Sequence, residues 1–139
     1  MVTAPFPVTI FHNPACGTSR NVVAMVEAAG HVPEVVEYLK TGWTEAQLRS
    51  LLAAMGAVPR DILRDRGTPA GELGLLDPET SDDVILAAMV QHPILVNRPI
   101  VVTPRGAALC RPSERVFDLL DAPPEGFVKD DGERVADRS

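Results

Sequence analysis

The order of apolar runs in the N-terminal third constrains the fold more than any other feature. Val8–Phe11 (VTIF) is a short apolar run held between Pro7 and His12-Asn13-Pro14, and it reads as a buried strand. A turn-rich loop follows, Asn13-Pro14-Ala15-Cys16-Gly17. From about Ser19 to Ala29, the residues Val22, Val23, Val26 and Ala29 share one helical face. Thr18 or Ser19 is placed to cap that helix and Gly30 to stop it. Val35–Leu39 then reads as a second strand. A helix between two strands makes a crossover, so these strands are expected to run parallel through a right-handed connection.

Helices follow in place of more strands. Thr44-Glu45-Ala46-Gln47 is a capping-box pattern, and Leu48, Leu51, Leu52 and Met55 continue it as a helical stripe. Pro59–Arg66 reads as a short helix. Ser81-Asp82-Asp83 opens another that ends at His92-Pro93, with acidic residues complementing the dipole of its first turn. Ile100–Thr103 and Ala107–Cys110, joined by a turn at Arg105-Gly106, read as a hairpin. Pro112-Ser113-Glu114 opens a last helix through Val116, Leu119 and Leu120, and from Ala122 the chain turns polar and reads as loosely held. The expected fold is α/β: a mixed four-stranded sheet with flanking helices in the thioredoxin arrangement. A helical insertion at about 40–95 separates strands two and three. One domain covers the whole chain, since a core buries roughly 70% of the unfolded surface at ~150 residues.

Composition narrows the function. The 139 residues carry a net charge of -6 without a long basic run, which argues against nucleic acid as a partner. No apolar run approaches the ~18 residues of a membrane span. No basic stretch precedes an apolar one at the N-terminus, so the cytoplasm is the expected location. The two cysteines, Cys16 and Cys110, form no CxxC pair. No His, Asp or Glu grouping has metal-ligand spacing, and no glycine-rich nucleotide loop is present. Neither a metal nor a bound cofactor is expected.

Cys16 stands out because it lies between a strand and a helix start. Helix N-termini carry unpaired N–H groups and a positive end charge, which lower a thiol pKa and attract anions. A lone cysteine is more often apolar filler. Here, though, asparagine, proline and glycine surround it instead of apolar residues. Ser19 stands where a dithiol oxidoreductase has its second cysteine, so any resolving thiol must come from elsewhere. The spacing to Arg20 is Cys-x3-Arg, unlike the Cys-x5-Arg loop of low-molecular-weight tyrosine phosphatases. Guanidinium forks match tetrahedral oxyanions and stay charged. An arginine alone is usually a surface charge, but Arg98 and Arg111 adjoin apolar strands and each precedes a proline. Arg64 lies in the inserted region. His12 can stabilise a thiolate or satisfy loop carbonyls. His31 and His92 look structural, and Tyr38 and Trp43 are too isolated to suggest a cofactor platform.

Three segments then carry a resemblance: His12-Asn13-Pro14-Ala15-Cys16-Gly17-Thr18-Ser19-Arg20-Asn21, the run from Gln91 to Pro104, and Leu109-Cys110-Arg111-Pro112-Ser113-Glu114. The chain resembles the glutaredoxin-coupled arsenate reductases from about residue 8 to residue 135. The resemblance implies a thioredoxin-like fold and reduction of arsenate to arsenite, an arsenic-resistance activity. Cys16 matches the nucleophile, Arg64, Arg98 and Arg111 the oxyanion-binding arginines, and His12 and Ser19 the positions that tune the cysteine. Glutathione is the implied co-substrate and glutaredoxin the implied partner. Pro99 matches the cis proline that faces the active cysteine in thioredoxin-like folds, so Arg98–Pro99 is expected cis with Arg98 directed at Cys16.

Two other classes compete. A monothiol glutaredoxin-like oxidoreductase would turn over glutathione mixed disulfides without arsenate. A thioredoxin-fold redox regulator would bind a partner without turnover. Neither needs three anion-binding arginines. Cys110, beside small residues on a strand, reads as packing and not as a resolving thiol.

Overall fold

A computed structural model describes residues 6–121; the polar tail from Ala122 lies outside them. The chain divides into two compact units. The described part of the first comprises 6–37 and 98–121, and the second is 38–97.

The first unit is built on β1 (Thr9–His12), α1 (Gly17–Ala28), β2 (Glu34–Glu37), β3 (Ile100–Thr103), β4 (Gly106–Leu109) and a 3₁₀ helix, Ser113–Leu119. Its sheet has the order β2-β1-β3-β4. β1 and β2 are parallel, while β1 with β3 and β3 with β4 are antiparallel. This is the mixed, thioredoxin-like sheet that the alternation of strand and helix implies. Ile10, Val101 and Ala108 are register partners and share one sheet face. Val22, Met25 and Val26 from α1 and Val116 and Phe117 from the 3₁₀ helix bury against that face.

Several boundaries differ from expectation, each for a physical reason. α1 begins at Gly17, not near Ser19, so its N-cap is Cys16. Ser19 does not cap, because its hydroxyl is taken by His12 and Asn13. The last helix is 3₁₀, and Ser113, Val116 and Leu119 bury at its three-residue spacing with Phe117 beside them. The returning strand ends at Leu109, and Cys110 instead donates its backbone N–H to Pro99 O at 2.9 Å.

The second unit is helical: α2 (Tyr38–Thr41), α3 (Glu45–Met55), a 3₁₀ turn Pro59–Ile62 and α4 (Asp82–Gln91). β2 thus stops at Glu37, and Leu39 is helical. Tyr38 turns inward within this unit, donating its hydroxyl to Val96 O at 2.7 Å beside Trp43. Thr44 caps α3 by accepting the Gln47 N–H, and Ser81 caps α4 by accepting that of Val84. Arg64 is not on a helix. After Ile62 the chain pairs with the segment before Arg98, through a bridge from Leu63 to Val96 and the Arg64 N–H to Leu95 O. Among the described residues, no helix is long and apolar enough to cross a membrane.

Candidate active site

Residues 12 to 20 turn the end of β1 into the start of α1. The Asn13 side chain accepts the Ala15 N–H at 2.9 Å, and Asn13 O accepts the Cys16 N–H at 3.0 Å. These bonds fold the loop tightly, as asparagine side chains do in turns. They place Cys16 at the first open turn of α1, where its carbonyl accepts the Arg20 N–H. The Asn-Pro dipeptide signals a turn, but no sequence pattern marks the Asn13 side chain as the acceptor that ties it.

Arg98 and Arg111 flank the sulfur. Arg111 Nη1 lies 3.5 Å from Cys16 Sγ and also donates to Arg98 O at 3.0 Å. Arg98 is 9% exposed and hydrogen-bonds Cys16 through its side chain. The Arg98–Pro99 bond is cis, as the proline match implied, and Arg111–Pro112 is cis as well. The three residues come from far apart in the chain, and the sheet topology brings them together.

Burial pushes the Cys16 thiol up, but the Ser19 backbone N–H and the Arg98 and Arg111 side chains outweigh it and bring the pKa down to about 7. The sulfur is therefore about half thiolate near neutral pH. Cys110 is the contrast. It is wholly buried, its S–H points at Ala108 O, and burial pushes it up to about 12. It stays a thiol.

His12 and Ser19 meet beneath the loop. His12 Nδ1 lies 2.6 Å from Ser19 Oγ, which also accepts the Asn13 N–H at 3.1 Å. Burial lowers the proton affinity of His12, Glu37 raises it and Arg20 lowers it. Arg64 belongs to the second unit, where its Nη1 donates to Asn97 Oδ1 at 3.1 Å and its Nε to Arg66 O. Arg20, read from the sequence only as a spacing mark, reaches back to donate to Pro14 O at 3.0 Å.

The ArsC family model matches residues 11–119, and thus spans the end of β1, the cysteine loop and both arginines beside it. The chain belongs to the ArsC family. Among relatives of this ArsC-family chain, the arsenate reductase ArsI2 of Synechocystis sp. is 57% identical over 131 residues, covering 94% of each chain. An arsenate reductase of Rhizobium meliloti is 56% identical over 131 residues, with the same coverage. Among solved structures, an arsenate reductase from Vibrio cholerae superposes with a TM-score of 0.79 at 38% identity, over 84% of this chain and 100% of that one.

Proposed function

We propose that the chain reduces arsenate to arsenite, with Cys16 as nucleophile and glutathione and glutaredoxin supplying electrons. One observation carries the reading: Cys16 Sγ sits at a helix start with the Arg98 and Arg111 side chains bonded to it. A thiolate and arsenate are both anions, and their approach in a partly dehydrated site is costly unless positive charge offsets the repulsion. Two guanidinium groups and the open N–H groups of α1 supply that charge, and they also stabilise charge developing on the arsenic oxygens. Arg64, which the sequence resemblance matches to the third oxyanion-binding arginine, is assigned an assisting role on that ground alone. The arsenate reductase names of relatives at 56–57% identity support the same substrate.

The Cys16 thiolate attacks arsenic, the S–As bond forms, and a protonated arsenate oxygen takes one proton from solvent and leaves as water. A glutathione thiolate then attacks the Cys16 sulfur. The S–S bond forms, the S–As bond breaks, and its electron pair stays on arsenic, which departs as arsenite. A glutaredoxin thiol removes the glutathione and returns Cys16 to its starting state. An external thiol is required, because Ser19 occupies the dithiol position and Cys110 stays protonated in the core. No resident cofactor takes part. Both thiol donors belong to a reducing compartment, so the cytoplasm is the expected location.

The test is arsenite formation from arsenate by the purified chain. Turnover is expected with glutathione and glutaredoxin together and lost when either is omitted. Turnover without either thiol donor, or none with both, overturns the reading.

A further inference from the structure

His12 ends β1, and its register partner on the neighbouring parallel strand is Glu37, the last residue of β2. Register partners project from the same face of a sheet, so the imidazole and the carboxylate stand on one side. From α1, Arg20 is the other charge acting on His12, and it is held toward the loop by its bond to Pro14 O. On the far side of β1, β3 presents Ile100 opposite Phe11, an apolar pair. Glu37 and Arg20 thus act on His12 with opposite signs.

His12 is joined to the sulfur through Ser19. The Ser19 hydroxyl is wholly buried and accepts the Asn13 N–H, and in the neutral ring with its proton on Nε2 it donates its own proton to His12 Nδ1. A protonated ring carries hydrogen on both nitrogens, so Nδ1 becomes a donor and the Ser19 hydroxyl proton must leave that bond. The same serine binds Cys16 through its backbone N–H. A change of charge on His12 therefore rearranges a residue that touches the thiolate.

We propose that Glu37 is a positioning residue for the Cys16 site: from the edge strand it sets how readily His12 takes a proton, and through the His12–Ser19 bond it sets the acid side of Cys16 reactivity. Neither Glu37 nor Arg20 touches the oxyanion in this scheme. Both act through His12.

The proposal rests on Cys16 being the reacting thiol, but its test needs no arsenate. NMR follows the His12 ring through pH, and iodoacetamide alkylation follows Cys16, since Cys110 stays a protonated thiol. In Glu37→Gln the His12 midpoint shifts downward, and the acid inflection in Cys16 alkylation shifts with it. Glu37→Asp keeps the charge and restores most of both shifts. Arg20→Gln moves both the opposite way. An unmoved His12 midpoint in Glu37→Gln overturns the proposal. So does an Asp variant that behaves like Gln, or an alkylation inflection that stays put while His12 moves. Failure of arsenate turnover in the unaltered chain would instead count against the reductase reading and leave these readouts intact.

Discussion

Cys16 gains its reactivity from partners that can be removed one at a time. Its alkylation rate should be half-maximal near pH 7, the value set by Ser19, Arg98 and Arg111 against burial. Below that pH the rate should fall about tenfold per unit. Arg111→Ala should move the midpoint up, read from the same alkylation profile. Arg98→Lys keeps the charge but loses the planar fork, and kcat/KM for arsenate should fall roughly tenfold, ~1.4 kcal/mol. If Arg98→Ala and Arg111→Ala both leave kcat/KM within about twofold, roughly 0.4 kcal/mol, the oxyanion role fails. Cys110→Ala should keep arsenate reduction and cost about 1 kcal/mol in urea unfolding, the loss of one well-packed buried atom. Mass spectrometry after one turnover should find glutathione on Cys16; a Cys16–Cys110 disulfide would overturn that mechanism. At this scale the sequence was informative where composition broke pattern. Cys16 stood among asparagine, proline and glycine, and Arg98 and Arg111 each stood before a proline. Glu37 carried no such mark, because which residues of two parallel strands face each other depends on a register that no local pattern encodes.

The elements were legible where a period was long enough to read. Ile100–Thr103 is the strand its four apolar and β-branched residues imply, and α4 runs from its Ser81 cap to His92. Ends were harder to place, because they depend on side chains serving distant partners. Ser19 looks like a helix cap and is instead claimed by His12; Leu39 looks like strand, but Tyr38 has already turned into the core of the second unit. The segment after Ile62 looked helical because nothing local reveals its pairing with Val96. The caps that were legible can be tested. Thr44→Ala removes the acceptor for the Gln47 N–H and should destabilise the protein by about 1 kcal/mol in urea unfolding.

For the whole molecule, the depressed Cys16 pKa couples folding to pH. The thiol falls from an ordinary 9.0 to about 7 in the fold, so the folded state holds the thiolate more readily than the unfolded chain. The resulting stabilisation is fully present above the unfolded value and is lost as pH falls through about 7. The stability difference between the unaltered chain and Cys16→Ser should therefore grow from pH 7 to pH 9. Urea unfolding of both at each pH measures it, and a flat difference would show that the thiol is not depressed. The first unit closes from two stretches on either side of a continuous second unit, so Arg111, which donates to the sulfur, is 95 residues downstream of it. On a ribosome adding roughly 5–20 residues each second, Cys16 emerges about 5–20 seconds ahead of Arg111. During that interval the nascent chain carries an ordinary, mostly protonated thiol, a poor target for oxidants and electrophiles. The fold withholds its most vulnerable group from chemistry until synthesis has supplied the residues that give that group a use.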